Sequence, residues 1–453
     1  MIEPRTLKGF RDYLPEAQIP REWLVDTARR VYRSYGFLPI DTPALEYEEI
    51  LAGKGGEESD KQMYRFEDHG GRRVALRFDL TVPLARFVAQ HQHELGLPFK
   101  RYHVASVWRG ENTQRGRYRE FMQCDFDTIG TESIASDVEM VLVVHDLMRA
   151  IGIEGFTIRV NNRKVLVGLL EAQGIETGVT PILRALDKHD KIGLEGVRRE
   201  LVQAAGLTPD QAQAVTSPLL VERADEATQR APRAELDRLE QSCPLSPTGL
   251  RGLTELRALL GGVEAAGVDP RRVRLDLSIA RGLDYYTGTI LETSLDELRG
   301  IGSVCSGGRY DDLANLYTKE RLPGIGASLG LDRLLAGLDE LGRLPRTRAT
   351  APVFVPYFDE ARLHDYLAFC AALRCAGLGV ELYPEPRKLK AQLQYADRRG
   401  FACAIVIGSD EWAAGTCQVK DLKQQESASV ARVDATGALS RELLERLRRL
   451  SGS

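Results

Sequence analysis

The 453-residue sequence predicts an α+β protein whose larger part holds a mainly antiparallel sheet flanked by helices. In the first 130 residues, strand-like segments come in pairs joined by a glycine turn or a basic loop, which favours antiparallel pairing. Residues 164–269 are rich in Leu, Ala, Arg and Glu and predict a helical region. Beyond the basic, proline-containing segment 343–352, strands and helices alternate, as in a small α/β domain with a parallel or mixed sheet. We therefore expect domains at 1–345 and 351–453.

The first elements follow from apolar spacing and turn residues. A helix is predicted from about Pro20 to Tyr35, because apolar residues recur at helical spacing and Gly36 stands where a C-cap glycine belongs. The segment 37–45 contains two prolines and predicts an extended edge piece, since proline removes a donor from the sheet ladder. Residues 63–68 and 74–78 flank a Gly-Gly pair and predict a β-hairpin.

Asp79, Leu80 and Thr81 lie between this hairpin and a helix predicted at 84–90. One interpretation is structural, with Asp79 or Thr81 capping the helix and Pro83 in its first turn. The other is functional, since a carboxylate beside a hydroxyl suits the ammonium group of a ligand. The residues alone leave both open.

Segments 102–109 and 121–127 predict two strands joined by a charged loop. Gln123, Asp125 and Asp127 alternate along the second strand, and period two places all three on one face. Polar groups aligned in this way are costly in a core and sensible in a pocket wall. The alternative is the solvent-facing side of an antiparallel sheet.

A guanidinium, a carboxylate and two tyrosines stand between strand-like segments at 273–277 and 287–292. Burying Arg281 there would cost several kcal/mol unless an anion or polar partner met it, and its planar fork suits a carboxylate or phosphate. An ion pair with Asp284 at the strand turn is the structural alternative. Further on, Gly307-Gly308 predicts a tight turn that lets backbone approach a ligand. Residues 324–335 predict a strand of small residues running into a helix.

Composition excludes several classes of protein. No stretch approaches the roughly 18 apolar residues of a membrane span, and the N-terminus lacks an apolar signal core, so a cytoplasmic location is expected. Seven cysteines without a Cys-x-x-Cys pair argue against a disulfide framework and a zinc site, and no metal ligands are predicted. The net charge of −4 gives no sign of nucleic-acid binding, although a local basic patch would suffice for it. A cluster of basic residues at 387–399 is either such a patch or a solvated helix face.

Two segments resemble the histidyl-tRNA synthetase family of the class II aminoacyl-tRNA synthetases. They are Arg281-Gly282-Leu283-Asp284-Tyr285-Tyr286 and Cys305-Ser306-Gly307-Gly308-Arg309-Tyr310-Asp311-Asp312-Leu313. Pro43, residues 109–127 and residues 324–335 match class II motifs 1, 2 and 3, so the resemblance covers essentially the whole chain. Many bacterial members of the family have Pro-Glu-Gly-Thr in this loop. This sequence has Asp79 in place of the glutamate, so the side chain is shorter by one methylene.

The resemblance implies a fold, a reaction and partners. The fold is a class II catalytic domain with a helical insertion at about 164–269, followed by an anticodon-binding α/β domain. ATP, bound with Mg²⁺, activates L-histidine to histidyl-adenylate, and the histidyl group is transferred to the 3′ end of tRNA(His). A homodimer is also implied, because motif 1 builds the dimer interface in class II enzymes.

The resemblance assigns roles to single residues. Arg109 binds the α-phosphate, Glu111 accepts from the adenine amino group, and Arg333 stacks on adenine and meets the γ-phosphate. Together with Arg281, the arginines Arg109 and Arg333 form the catalytic set, and Arg115 and Arg117 face the tRNA acceptor end. Asp127 accepts from an imidazole N–H, and Tyr286 contacts the other ring nitrogen. The histidine-binding set is Asp79, Leu80, Thr81, Arg109, Gln123, Asp127, Arg281, Tyr285, Tyr286 and Tyr310.

Two other functions compete with this interpretation. A non-catalytic paralog that binds histidine and regulates another enzyme typically lacks the C-terminal domain and loses signature residues, whereas this chain keeps both. A class II synthetase for proline, threonine or glycine would share the C-terminal domain, but the segments 281–286 and 305–313 speak against it.

Overall fold

The computed structural model describes residues 1–52, 60–113, 116–175, 178–220, 232–279, 282, 285–344 and 348–451. The chain forms two compact units, one of Met1–Asp12 and Trp23–Leu344, the other of Tyr13–Glu22 and Pro345–Ser453. No helix in these ranges has both the length and the apolar character needed to cross a bilayer.

The elements before the pocket strands agree with the predicted order. The helix α1 begins at Pro15 rather than Pro20, because Pro15 takes the first helical position that proline favours. Gly36 adopts a φ of +79° just beyond its end, as predicted. The hairpin pairs Arg65 with Ala75. The elements are α1 Pro15–Ser34, β1 Leu38–Pro39, β2 Leu45–Tyr47, α2 Glu48–Leu51, β3 Arg65–Glu67, β4 Arg73–Leu76 and α3 Thr81–Leu95.

A mainly antiparallel sheet organises the first unit, as predicted. Its eight strands, counted over the described residues, lie in the order β1-β5-β6-β11-β10-β9-β7-β8. The two edge pairs, β1 with β5 and β7 with β8, are parallel, and the inner pairs are antiparallel. The bounds are β5 Phe99–Trp108, β6 Glu120–Ile129, α4 Ile134–Ala150, β7 Phe156–Asn162, β8 Val273–Leu275, β9 Thr289–Leu295, β10 Cys305–Arg309, β11 Gly324–Gly330 and α11 Leu331–Glu340.

The described residues between β7 and β8 are mainly helical, as predicted. Three of the helices begin with proline, which is favoured in the first turn. Leu253, Leu256 and Leu259 of the last helix are fully buried against the same core that covers the sheet. The bounds are α5 Arg163–Glu171, α6 Val179–Asp187, α7 His189–Gln203, α8 Pro209–Leu220, α9 Pro232–Ser242 and α10 Pro247–Ala265.

The glycine turn predicted at Gly307-Gly308 is wrong. Both residues lie within β10, between β9 and β11. A Cβ on Gly307 would meet the Gly326 carbonyl oxygen at 2.2 Å, and one on Gly308 would meet the Tyr286 ring at 3.0 Å. The glycines therefore serve close approach within the sheet rather than a turn.

The second unit is a mixed α/β sheet, as the alternation predicts. Its strand order is β13-β12-β14-β15-β16, parallel as far as β14 and antiparallel beyond it. The strand β16 and the short helix before β15 were not predicted. The bounds are β12 Val353–Val355, α12 Leu363–Cys375, β13 Val380–Leu382, α13 Leu389–Arg399, β14 Cys403–Val406, α14 Ser409–Ala414, β15 Thr416–Asp421, β16 Ser427–Ala431 and α15 Arg441–Ser451.

Candidate active site

A cavity of about 1010 Å³ opens over the middle strands of the first unit's sheet. It brings together most of the residues predicted from the sequence. Leu80 is fully buried, and its carbonyl oxygen accepts a hydrogen bond from Arg101 Nη2. Arg281 and Arg115 lie outside the described residues. The predicted residues that line the cavity are Asp79, Thr81, Arg109, Glu111, Arg117, Gln123, Asp127, Tyr285, Tyr286, Tyr310 and Arg333.

Asp125 and Asp127 of β6 line the cavity, and Arg101 and His103 of β5 lie beside them. The antiparallel register sets Arg101 opposite Asp127 and His103 opposite Asp125, so all four share one face. Arg101 is fully buried, and its Nη2 lies 2.7 Å from Asp127 Oδ2 and 3.3 Å from the Leu80 carbonyl oxygen. Arg101 was not among the residues predicted from the sequence. The alternation of Arg101 and His103 along β5 was the available signal.

Tyrosines close the Asp127 end of the cavity. The Tyr310 hydroxyl donates a hydrogen bond to Asp127 Oδ1, and burial raises the pKa of Tyr310 well above its usual value. The rings of Tyr285 and Tyr286 lie 4.4 Å apart, centroid to centroid. Tyr310 is thus both a core residue and a pocket residue.

Two glycines make room for this arrangement. Gly282 has a φ of +66°, and a Cβ there would lie 1.9 Å from the Tyr286 ring. A Cβ on Gly326 would lie 1.9 Å from Asp127 Oδ1. Any other residue at either position would displace a pocket side chain.

Arg163 anchors the turn that carries Tyr286. Its Nη2 donates to the Gly282 carbonyl oxygen at 3.0 Å, and its Nε donates to the Tyr286 carbonyl oxygen at 3.3 Å. This buried arginine begins α5, over a hundred residues before the turn, so local sequence could not reveal it.

Basic side chains occupy the opposite end of the cavity. Arg109 is held through Nε, which donates to the Phe78 carbonyl oxygen at 2.9 Å. Arg333 is held through Nη1, which donates to the Ser303 carbonyl oxygen at 2.7 Å. Glu111 lies 3.9 Å from Arg109 and 3.6 Å from Arg117, measured between charged atoms. Guanidinium groups that are held in place before a ligand binds suit an anionic ligand such as a polyphosphate.

Asp79 serves the helix and the cavity together. Its Oδ1 accepts a hydrogen bond from the Val82 amide at 3.0 Å, which satisfies a donor in the first turn of α3. Burial raises the pKa of Asp79, although the Val82 amide and Arg109 oppose this shift. The structural and the functional interpretations of this residue are therefore compatible.

Within the described ranges, no group of three or more His, Cys, Asp or Glu side chains has the arrangement of a metal site. Mg²⁺ bound with a nucleotide does not need such a group, because it is usually held by one or two carboxylates together with substrate phosphates.

Comparison with known proteins identifies the family. Residues 9–334 match the family model for histidyl-tRNA synthetase, and residues 353–442 match that for an anticodon binding domain. The chain is 59% identical over 431 residues to the histidine–tRNA ligase of Rhodopirellula baltica, covering 95% of this chain and 96% of that protein. It is 45% identical over 439 residues to that of Wolinella succinogenes, covering 97% and 98%.

A solved structure agrees with these matches. The crystal structure of histidyl-tRNA synthetase from Nostoc sp. PCC 7120 matches this chain with a TM-score of 0.87 at 38% identity. The match covers 99% of this chain and 100% of that one. The class II catalytic fold and the C-terminal anticodon-binding fold predicted from the sequence are confirmed. The chain belongs to the histidyl-tRNA synthetase family.

Proposed function

We propose that this chain is a histidine–tRNA ligase, which activates L-histidine with ATP and transfers the histidyl group to the 3′ end of tRNA(His). The observation that carries the proposal is the single cavity described above. It holds acidic and tyrosine side chains at one end and the cations Arg109 and Arg333 at the other. Its volume of about 1010 Å³ is large enough for an amino acid beside a nucleotide.

The two ends of the cavity suit the two substrates. Asp127, Tyr286 and Tyr310 are buried hydrogen-bonding groups that suit an imidazole ring, and a site built in this way rejects amino acids lacking the ring nitrogens. Arg109 would hold the α-phosphate, Arg333 the adenine and γ-phosphate, and Glu111 the adenine amino group. The other residues proposed to bind histidine are Asp79, Leu80, Thr81, Gln123, Arg281 and Tyr285.

The chemistry requires positioning and charge neutralisation rather than a covalent enzyme intermediate. The histidine carboxylate attacks the α-phosphorus, and the bond to pyrophosphate breaks. Arg109 and Arg333 are held by backbone carbonyl groups before substrate arrives, so they need little reorganisation as negative charge develops. Arg281 is proposed as the third cation of this set, and Arg115 and Arg117 as contacts of the tRNA acceptor end.

Mg²⁺ is proposed to enter with ATP. Glu292 lines the cavity and supplies the type of oxygen ligand that this ion prefers. When bound, the ion would neutralise charge on the phosphates of ATP.

A homodimer is proposed from exposed apolar side chains on the motif 1 side of the first unit. Leu38, Leu45, Tyr47 and Phe66 on β1, β2 and β3 are between 38% and 58% exposed. Exposed apolar side chains on neighbouring elements are typical of a protein interface. Light scattering should give a mass twice that of the chain, and a monomer would contradict this assignment. We also propose a cytoplasmic location, domains at 1–345 and 351–453, and an insertion at about 164–269.

ATP–pyrophosphate exchange with each amino acid supplied singly tests the proposed function. We expect exchange with histidine and background rates with the others. Arg281→Ala should abolish exchange while preserving the fold, whereas Arg149→Ala, on the exposed end of α4, should leave it unchanged. Saturable histidine binding without exchange would instead support the non-catalytic paralog, which nothing in the site favours.

A further inference from the structure

The acidic side chains of the cavity differ in how many of their oxygens are engaged. Asp127 Oδ1 accepts a hydrogen bond from the Tyr310 hydroxyl, and its Oδ2, which accepts no hydrogen bond from the described residues, faces Arg101 in an ion pair. Asp79 uses Oδ1 to cap α3. A carboxylate that is already paired with protein donors has less to offer a ligand than one that is not.

Asp125 also has an oxygen without a hydrogen bond. It lines the cavity and is 2% exposed, yet its Oδ1 accepts no hydrogen bond from any residue that the structure describes. The other oxygen faces Ser328, its partner in the β6–β11 register, which bonds to it. Gln123 Nε2 donates to Ser328 Oγ at 2.9 Å, which leaves the serine proton for Asp125. A buried acceptor left unpaired is costly, so a ligand donor is expected here.

The position of Asp125 indicates which donor this is. It lies on the cavity face of β6 midway between Gln123 and Asp127, about 7 Å from each along the strand. The Asp127 end is closed by tyrosines and suits the ring. In the other direction along β6, two residues before Gln123, the Arg109 guanidinium lies over the Phe121 ring at 5.1 Å from its centroid, so this end suits the carboxylate. Between the ring and the carboxylate, an α-amino acid carries its ammonium group.

We propose that Asp125 is a further substrate-binding residue, which accepts a hydrogen bond from the α-ammonium group of the substrate. This inference rests on the proposed function, because it takes histidine as the substrate. An ammonium group has three protons, so Asp79 and Asp125 can both accept from it. The proposal separates the recognition of the amino group from the recognition of the ring by Asp127.

The charges around Asp125 fit this role. Burial, Asp127 and Asp79 raise the pKa of Asp125 to about 7, while Arg101 and the Ser328 hydroxyl oppose the shift. Burial lowers the pKa of His103, which faces Asp125 across the strand pair, to about 4, so this imidazole is neutral. An incoming ammonium group therefore favours the ionised carboxylate. Other facing groups are uncharged because burial raises their pKa values, namely Tyr32, Tyr285, Tyr286 and Cys305.

Calorimetric titration with two ligands tests the proposal. The ligands are histidine and 3-(imidazol-4-yl)propanoate, which has the ring and the carboxylate but no amino group. Asp125→Asn should weaken histidine binding about 30-fold, as expected for a lost charged hydrogen bond. Binding of the analogue should be unchanged or tighter, since it no longer leaves a carboxylate unpaired. Asp146→Asn, a carboxylate on α4 that accepts from the Tyr35 hydroxyl, should change neither constant.

Two results would overturn the proposal. One is an equal loss for both ligands, which would place Asp125 on the ring. The other is unchanged histidine binding in Asp125→Asn. If the wild-type chain did not bind histidine at all, the proposed function would fail instead.

A measurement on the wild-type chain covers the case in which the variant does not fold. The ratio of the analogue's Kd to that of histidine should rise about tenfold between pH 6 and pH 7, as Asp125 ionises. The imidazole of the analogue has a higher pKa than that of histidine, because no ammonium group lies near it. Each Kd is therefore first corrected for the fraction of free ligand with a neutral imidazole, using the pKa measured for that ligand. A ratio independent of pH would refute the role of Asp125.

Discussion

The eight-stranded sheet of the first unit and the sheet of the second unit both contain fully buried side chains, but these differ in chemistry. In the second unit, every residue of β12 and β14 is apolar and buried. In the first unit, Arg101, His103, Asp125 and Asp127 are also buried and share one face of the pair β5–β6. Burial of charge costs free energy that apolar packing does not. The difference shows that the first sheet serves as a binding surface as well as a core.

The largest effect should come from breaking the buried ion pair of the first sheet. Arg101→Met leaves Asp127 buried without its cation, so we expect the free energy of unfolding of the first unit to fall by about 3–5 kcal/mol. Histidine-dependent exchange should be lost as well. Denaturant unfolding followed by tryptophan fluorescence measures the first effect. Arg149→Met makes the same chemical change at an exposed site and should cost less than about 0.5 kcal/mol. Equal stability of the two variants would contradict the comparison.

A change in the apolar sheet should affect stability alone. Ile405 is fully buried in β14, and Ile405→Val should lower the free energy of unfolding of the second unit by about 1 kcal/mol. Fluorescence of Trp412, which lies in that unit, follows the transition. Histidine-dependent exchange should not change. A marked loss of exchange in this variant would show that the two sheets do not divide stability and binding as described.

The smallest effect should come from Asp125, and it should have the opposite sign. The pKa of this carboxyl rises from 3.8 to about 7 on folding, so its stabilising contribution is complete below pH 4 and is lost as the pH rises to 7. Asp125→Asn removes this penalty but leaves a buried amide in its place, so only part of the penalty is recovered as stability. The Tm of the variant should exceed that of the wild type by about 2 °C at pH 8, and by less at pH 5. A lower Tm at pH 8 would show that the carboxylate stabilises the fold.

The candidate site could be predicted where its signal is local, and not where it depends on pairing between distant strands. Period two along β6 was sufficient to place Gln123, Asp125 and Asp127 on one face. Arg101 was missed because its role depends on the register that sets it opposite Asp127, 26 positions further along the chain.

Glycine gave the one wrong structural prediction near the site. The same Gly-Gly pair is compatible with a turn and with close packing, and only the Tyr286 ring and the neighbouring strand decide between them. Arg163 was missed for a similar reason, since its contacts are to backbone atoms of a distant turn. The fold class required only hydrophobic periodicity and the order of elements, and it was predicted correctly.

The register of β6 between β5 and β11 also limits how the gene can change in length. One added or deleted codon between Gln123 and Asp127 would put these two residues on opposite faces of the sheet and break up the wall of the cavity. The same insertion after Arg109, in the loop before β6, would leave the pairing intact. Length variation among descendants of this gene should therefore collect in loops, while the pocket strands keep a fixed number of residues.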